Sequence, residues 1–197
     1  MVEWGKAARG ALSGVGLFLA VDGHAAESVA TPAGPHVTPS VDVPVRYEVS
    51  APDGHPAAHQ DMRWQVASLR QRIDPEGAAV YMVTSWKDQT LTVVDTTGRR
   101  ISTMPAPGAR LTLPGDIPAG NFQRVGTDVV AGQACVLWRT ADQDGKASDA
   151  CYTDDGILVR VMQQGHVMVQ AVLVERTPQT DGLFTLPTDF STVAPVR

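Results

Sequence analysis

The chain lacks most of the features by which enzymes and nucleic-acid binders declare themselves. It holds only two cysteines, Cys135 and Cys151. A zinc site takes four protein ligands, or three and a water. Two cysteines remote from the histidines do not supply that set. With 15 residues between them, they are not a C-x-x-C redox motif either. No run of Lys or Arg is present, and the net charge is -5, which argues against a nucleic-acid partner. There is no G-x-S-x-G elbow, no glycine-rich phosphate loop and no internal repeat. No apolar run reaches the roughly 20 residues that a bilayer span requires. No cofactor motif is found, and none is expected.

What is present begins at the N-terminus. Lys6 and Arg9 precede an apolar run at residues 11–21, and Gly23, His24, Ala25 and Ala26 follow it. This is the three-part pattern of a secretory signal peptide over residues 1–26. A short buried helix is the alternative. The proline- and threonine-rich stretch that follows could not pack onto such a helix, so the leader is preferred. No cysteine lies near the cleavage point, so no lipid anchor is expected. Removal takes away Glu3, Lys6, Arg9 and Asp22, two charges of each sign, and the mature charge stays -5. The expected location is periplasmic or secreted, with no membrane span after cleavage. Residues 27–40 contain Pro32, Pro35 and Pro39 without hydrophobic periodicity and read as a disordered linker.

Residues 41–193 read as one domain of strands. Val41, Val43, Val45, Tyr47 and Val49 alternate with Asp42, Arg46, Glu48 and Ser50, the period of a half-buried strand. Pro44 predicts that this strand lies at a sheet edge. Residues 51–61 read as a loop. Residues 62–74 read as a strand with Leu69 and Ile73 on one face and Arg70 and Arg72 on the other. A turn at Pro75, Glu76 and Gly77 leads to a hairpin about Lys87 and Asp88. Thr96, Thr97 and Gly98 turn the chain into a short strand from Arg100. Residues 105–121 carry four prolines interspersed with glycine. Loops of this length often cover something, although a plain surface excursion fits as well. The last third reads as an antiparallel meander with turns at Asp128, Asp142 to Gly145, Asp154 to Gly156, and Gln164–Gly165. Leu183, Phe184, Leu186 and Phe190 anchor the closing segment. The fold class is mainly β: about eight or nine strands in a single curved antiparallel sheet, half-barrel to open barrel, with little helix. Its concave face must be filled by its own side chains, by the Pro/Gly loop or by a ligand.

Both cysteines sit in strand sequence behind an export signal, which makes them a structural disulfide. Facing cysteines would centre the hairpin on residue 143, with Thr140 opposite Lys146 and a five-residue loop at 141–145. A tight Asp144–Gly145 turn is incompatible with that register.

Other clusters are weighed against plainer readings. Asp53, His55, His59 and Asp61 form the only metal-like group. No Glu lies between the histidines, and exposed loop histidines are the preferred reading. Asp142, Asp144, Asp149, Asp154 and Asp155 crowd one hairpin, but their spacing matches no calcium loop. Trp64, Trp86, Trp138 and Tyr81 read as core before pocket. Arg63, Arg70 and Arg72 could bind an anion, with a solvated face preferred.

The stretch "RVGTDVVAGQACVLWRTADQDGKASDACYTDDGILVRV" resembles the core signature of a family of uncharacterised secreted bacterial proteins. There a G-x-D-x-V-A-G-x-x-C strand is followed by an aromatic, a second Cys and a T-x-D-G turn. "RQRIDPEGAAVYMVTSWKDQTLTVVD" and "LFTLPTDF" are similar to the same group. The group in turn resembles the half-barrel of periplasmic lipoprotein carriers and outer-membrane lipoprotein receptors (LolA/LolB-like). The resemblance implies a curved sheet around an apolar concavity that carriers use for acyl chains. It supplies no catalytic residues, and this chain lacks the carriers' N-terminal helix and helical lid.

The leading expectation is a non-enzymatic periplasmic protein that binds an apolar ligand, such as a lipid or acyl chain, or an envelope component. Val66, Leu69, Tyr81, Val83, Leu91, Val93, Leu137, Val159 and Val161 are the candidate lining residues. One alternative is a structural or interaction protein whose edges or loops contact an envelope protein. Another is a metal-dependent enzyme at His55 and His59.

Overall fold

The computed structural model describes residues 34–50, 57–108, 110–141 and 145–194. The expected leader at 1–26, the first part of the expected linker, Asp53, His55, Asp142 and Asp144 lie outside the described residues.

Twelve strands form one sheet: β1 (Val43–Val49), β2 (Ala58–Gln65), β3 (Arg70–Pro75), β4 (Val80–Ser85), β5 (Thr90–Asp95), β6 (Arg100–Pro105), β7 (Gln123–Val130), β8 (Gln133–Ala141), β9 (Ala147–Tyr152), β10 (Leu158–Gln163), β11 (His166–Val174) and β12 (Ser191–Thr192). Their order is β12-β6-β5-β4-β3-β2-β1-β11-β10-β9-β8-β7. Every pairing is antiparallel except the two-residue β12 beside β6. The sheet is curved and does not close into a barrel. Among the described residues the one helical element is a 3-10 turn, Asp181–Phe184.

The strand count exceeds the expectation in part because one turn hides in residues 62–74, while those about Lys87 and Asp88 and at Thr96 to Gly98 fall where the sequence put them. Residues 62–74 are two strands, with a four-residue turn at 66–69 between Gln65 and its partner Arg70. Loops of the same length join Ser85 to Thr90 and Asp95 to Arg100. Each ends on a residue with positive φ: Leu69 at 51°, Gln89 at 53° and Arg99 at 49°. Glycine or asparagine is the usual occupant of such a position. For leucine the cost is about 1 kcal/mol, and Leu69 offsets it by packing against the core. The turn expected at Asp128 lies instead at Ala131 and Gly132, with φ of 49° and 73°. Two consecutive positive φ values define the hairpin turn whose twist matches its strands.

β1 is a central strand, not an edge strand: β2 and β11 flank it. Pro44 is tolerated because its missing donor falls where the ladder ends. Its carbonyl accepts from Glu175 N–H at 3.2 Å, beyond the last paired residue of β11, Val174. Val43, Val45 and Tyr47 are 0%, 1% and 6% exposed. They pack with Met62, Trp64, Val130, Cys135, Cys151, Ile157, Val159 and Ala171. Tyr47 donates its hydroxyl to Leu158 O at 2.6 Å, tying β1 to β10 across β11. Burial, and secondarily Tyr152, raises the Tyr47 phenol well above its usual range.

Residues 34–40 do not behave as a disordered linker. Thr38 is 4% exposed and donates to Thr112 O at 2.6 Å. Ser40 N–H donates to Asp155 O, and Trp64 Nε1 donates to Pro39 O. Proline here excludes helix and ladder without excluding order. Gly156 marks the closeness of the approach. Its φ is +84°, and an added Cβ would sit 2.3 Å from Thr38 O.

Cys135 and Cys151 form a disulfide with Cα atoms 5.5 Å apart. Its register differs from the expectation. Thr140 faces Ser148 and Leu137 faces Cys151, so the hairpin is centred on residue 144 and the disulfide joins a diagonal pair. Neither directly facing cysteines nor the tight turn is realised. A diagonal pair on one face of a twisted hairpin still falls within the Cα span that a disulfide bridges.

Two stability outcomes follow. Replacing both cysteines by serine lowers the urea-unfolding free energy by about 3 kcal/mol, the chain-entropy value for a loop of this length. Gly156→Ala costs at least about 1 kcal/mol, because alanine at this φ also meets backbone. Hydrogen exchange at the Ser40 amide then accelerates more than exchange in β3 to β5.

Candidate functional site

Register defines the faces of the sheet. One row runs Met62, Ile73, Met82, Val93, Ser102, and the next runs Trp64, Gln71, Thr84, Leu91, Met104. Both continue the face of Val43 and Val45, which oppose Trp64 and Met62. This is the inner face. Near β2 it is closed, with Trp64 2% and Met62 7% exposed. Toward β6 it opens: Ile73, Met82, Leu91, Val93 and Met104 are all half-buried. Ser102 lies among them, and its Oγ is buried without a hydrogen-bond partner among the described residues.

The Pro/Gly segment roofs the closed end. Leu111 packs against the core, and Thr112 holds Thr38. A Cβ on Gly34 would lie 2.7 Å from Ile117 Cγ2, so the segment and residues 34–40 pack in direct contact. Its tip leaves Leu113 52% and Ile117 42% exposed.

The outer face of β3 to β6 is sealed by the C-terminal arm. Phe184 is buried there. Arg70 stacks on its ring at 5.3 Å and pairs with Asp181 at 2.8 Å. Arg72 stacks on Tyr81 at 3.9 Å, donates to Leu183 O at 2.7 Å and pairs with Asp74. Arg63 is on β2 rather than on the strand of Arg70 and Arg72, and it also pairs with Asp74. All three guanidiniums are therefore committed to protein carboxylates, and they form neither an anion site nor a merely solvated face.

The nine predicted lining residues do not share one surface. Leu91 and Val93 lie on the open inner stripe. Val66, Leu69 and Leu137 pack against the core, and Val159 is within it. Tyr81 and Val83 point the other way, alongside Val94 and Thr92. Val161 faces Ala150 and Val169. Valine alternation marked the strands without saying which parity was inside. Ile73, Met82, Met104 and Ser102 were missed. The signal was available: each stands directly across from a predicted residue or its row once the hairpin turns are placed.

His59 lies in β2, not in a loop. Its Nδ1 is 3.1 Å from Glu76 and its Nε2 3.9 Å from Glu48. Among the described residues no group of three or more His, Cys, Asp or Glu is arranged to hold a metal. The hairpin aspartates are dispersed as well. Arg139 donates to Asp149 at 2.8 and 3.0 Å, and Arg176 to Asp155 at 2.6 and 3.1 Å. These bonds hold both carboxyls below their usual range. Trp138 is buried, and Trp86 packs on the core. Two open cavities, of about 580 and 630 Å³, lie by Arg139 and Met162 and by Asp128 and Val129. None of the nine lining candidates borders either.

No family model and no curated protein matches the chain. Solved structures do share its fold. An uncharacterised conserved protein from Thermus thermophilus is similar with TM-score 0.58 and 11% identity, over 79% of this chain and 91% of that one. The Pseudomonas aeruginosa MucA/MucB complex gives TM-score 0.53 and 11% identity, over 78% of this chain and 58% of that one. A structure of MucB gives 0.52 and 11%, over 77% and 59%. The chain thus spans less than two thirds of those MucB-type chains. At these identities the likeness is one of fold, and at that level it meets the half-barrel resemblance read from the sequence.

The acid limb of stability can be predicted from Asp149 and Asp155. Their folded values are depressed, so their contribution is complete above the unfolded carboxylate value of about 4. It is lost as pH falls through the lowered folded values. The urea midpoint should stay level from neutral pH down to about 5 and then drop below about 4. Asp149→Asn with Asp155→Asn should make that drop shallower.

Proposed function

We propose that this chain is a non-enzymatic binding protein of the cell envelope, exported by the leader at residues 1–26. Its ligand is apolar, a lipid or acyl chain, and lies on the inner stripe of Ile73, Met82, Leu91, Val93 and Met104. One observation carries the reading. A half-buried apolar stripe continues from a closed core and holds a single buried, unpartnered hydroxyl, that of Ser102. Binding sites for apolar ligands have this character: mostly hydrophobic walls with a few placed polar groups. The disulfide fits an oxidising compartment. The solved MucA/MucB complex, in which a chain of this fold is part of a two-protein assembly, supports a binding role by analogy of fold.

A second reading rests on Leu113 and Ile117, exposed at the tip of the roof. They would offer an envelope protein a small apolar contact, and the stripe would then be a surface and not a ligand site.

Expression with the leader in a Gram-negative host tests both. Intact mass should show cleavage near Ala25 or Ala26. Mass spectrometry of native extracts should find retained acyl lipid, and an environment-sensitive apolar dye should brighten with the delipidated protein. Leu91→Arg and Val93→Glu should each weaken dye binding at least tenfold while the melting transition stays cooperative. Absence of lipid, together with dye emission indifferent to both substitutions, removes the ligand reading. If capture of an envelope protein is then lost on deleting residues 106–121, the second reading stands.

A further inference from the structure

β7 is a terminal strand of the sheet: among the described residues β8 is its one hydrogen-bonded partner, although the curl of the sheet brings β7 near β11. Val130 and Gln133 flank the two-residue turn and form its closing pair. By antiparallel alternation, Val129 therefore turns its N–H and C=O away from β8. Its side chain is 65% exposed, the highest value among the large exposed apolar residues described. An outward backbone edge beside an exposed valine is what an added strand requires.

That N–H is already occupied. Val129 N–H donates to Asp128 Oδ1 at 2.7 Å. Asp128 is held in turn by the guanidinium of Arg160, which comes from β10. Register explains the reach. Arg160 is opposite Cys151, Asp128 is opposite Cys135, and the disulfide joins the two cysteines. The Arg160 side chain thus crosses above the disulfide. On a flat sheet β10 and β7 would be about 14 Å apart, three strand spacings. The ion pair closes because the sheet curls on this side. A bulge between Arg124 and Gly126 interrupts the other half of the same edge.

We propose that Asp128, braced by Arg160, is an edge guard that keeps β7 from pairing with β7 of a second copy. A second copy is the natural occupant, since it brings the same edge to an isologous, two-fold contact. The carboxylate competes with an incoming carbonyl for the Val129 N–H and places a charge where that strand would lie. The Asp128 carboxyl titrates below its usual range through the Arg160 and Val129 bonds, as a permanently charged guard should.

Light scattering over a wide concentration range tests this. The wild-type protein should be monomeric. Asp128→Ala should show a concentration-dependent rise in mass of about twofold, the value for a two-fold dimer. Asp128→Ala with Val129→Pro, which removes the contested N–H, should return to monomer. Asp128→Asn keeps an acceptor for that N–H and serves as the variant least disturbed in folding. It should stay monomeric, and Arg160→Met, which releases the brace, should dimerise in part. Each variant is first required to melt cooperatively. A monomeric Asp128→Ala protein, a dimer that persists with Val129→Pro, or a wild-type dimer abolished by Val129→Pro would each overturn the proposal.

Discussion

The pairing of β1 with β11 is the constraint on which the rest depends. β1 through β6 form one meander of neighbours in sequence, and β7 through β11 form another. Nothing local joins them. The first strand of the domain must find the last long one before a single sheet exists. The reward is concentrated where the cost is paid. Val43, Val45 and Tyr47 are among the least exposed residues of the chain, and Ala171 on β11 is 1% exposed. Closing so long a loop costs entropy that only a well-buried contact offsets. The Tyr47 hydroxyl adds a bond that reaches past β11 to β10, so the junction is held at two depths of the sheet.

The remaining features follow from the ends this junction leaves. β6 and β7 are consecutive in sequence and lie at opposite sides of the sheet, apart from the short β12. In a closed barrel they would pair, and a few residues would connect them. Here the connection must cross the opening, which accounts for the length of the Pro/Gly segment. Crossing the opening also places Leu111 and Thr112 over the inner face and gives residues 34–40 a surface to pack on. The long loop, the ordered N-terminal segment and the guarded β7 edge are thus three consequences of one incomplete closure.

Much of this was legible in the alternation of apolar and polar residues, which gave the fold class and the strand-rich meanders, while the cysteine pair followed from the lack of a metal or redox motif around it. What was illegible has identifiable causes. Pro44 signalled an edge because proline lacks a donor, yet a ladder that ends beside it needs none. Leu69 occupies a position where glycine would have announced a turn, whereas the turns ending on Gln89 and Arg99 were announced by Lys87-Asp88 and by Thr96 to Gly98. Asp128 looked like a turn residue and is a side-chain cap on a strand. The disulfide was expected between facing residues, and twist let it form diagonally. The candidate lining set mixed two faces because period 2 defines a face only relative to a turn, and the turn at 66–69 was hidden. Residues 34–40 lack periodicity and are ordered by other segments, which no local pattern can reveal.

The two faces of β3 to β6 are finished differently, and this asymmetry bears on function. The outer face is covered by an arm whose ring and carbonyl engage arginines that also satisfy Asp74 and Asp181. Few polar groups there are left to recruit anything else. Among the described residues the inner face is roofed from the β2 side only. It ends in Ile73, Met82, Leu91, Val93 and Met104, all half-buried, with the Ser102 hydroxyl unmatched. Methionine suits such a place, since its unbranched thioether adapts to irregular neighbours where a branched chain would not. A sheet that needed merely to be stable could have covered this stripe as it covered the other side. That the described residues do so at one end alone leaves the stripe of β3 to β6 half-buried, and this is the surface on which the proposed ligand would lie.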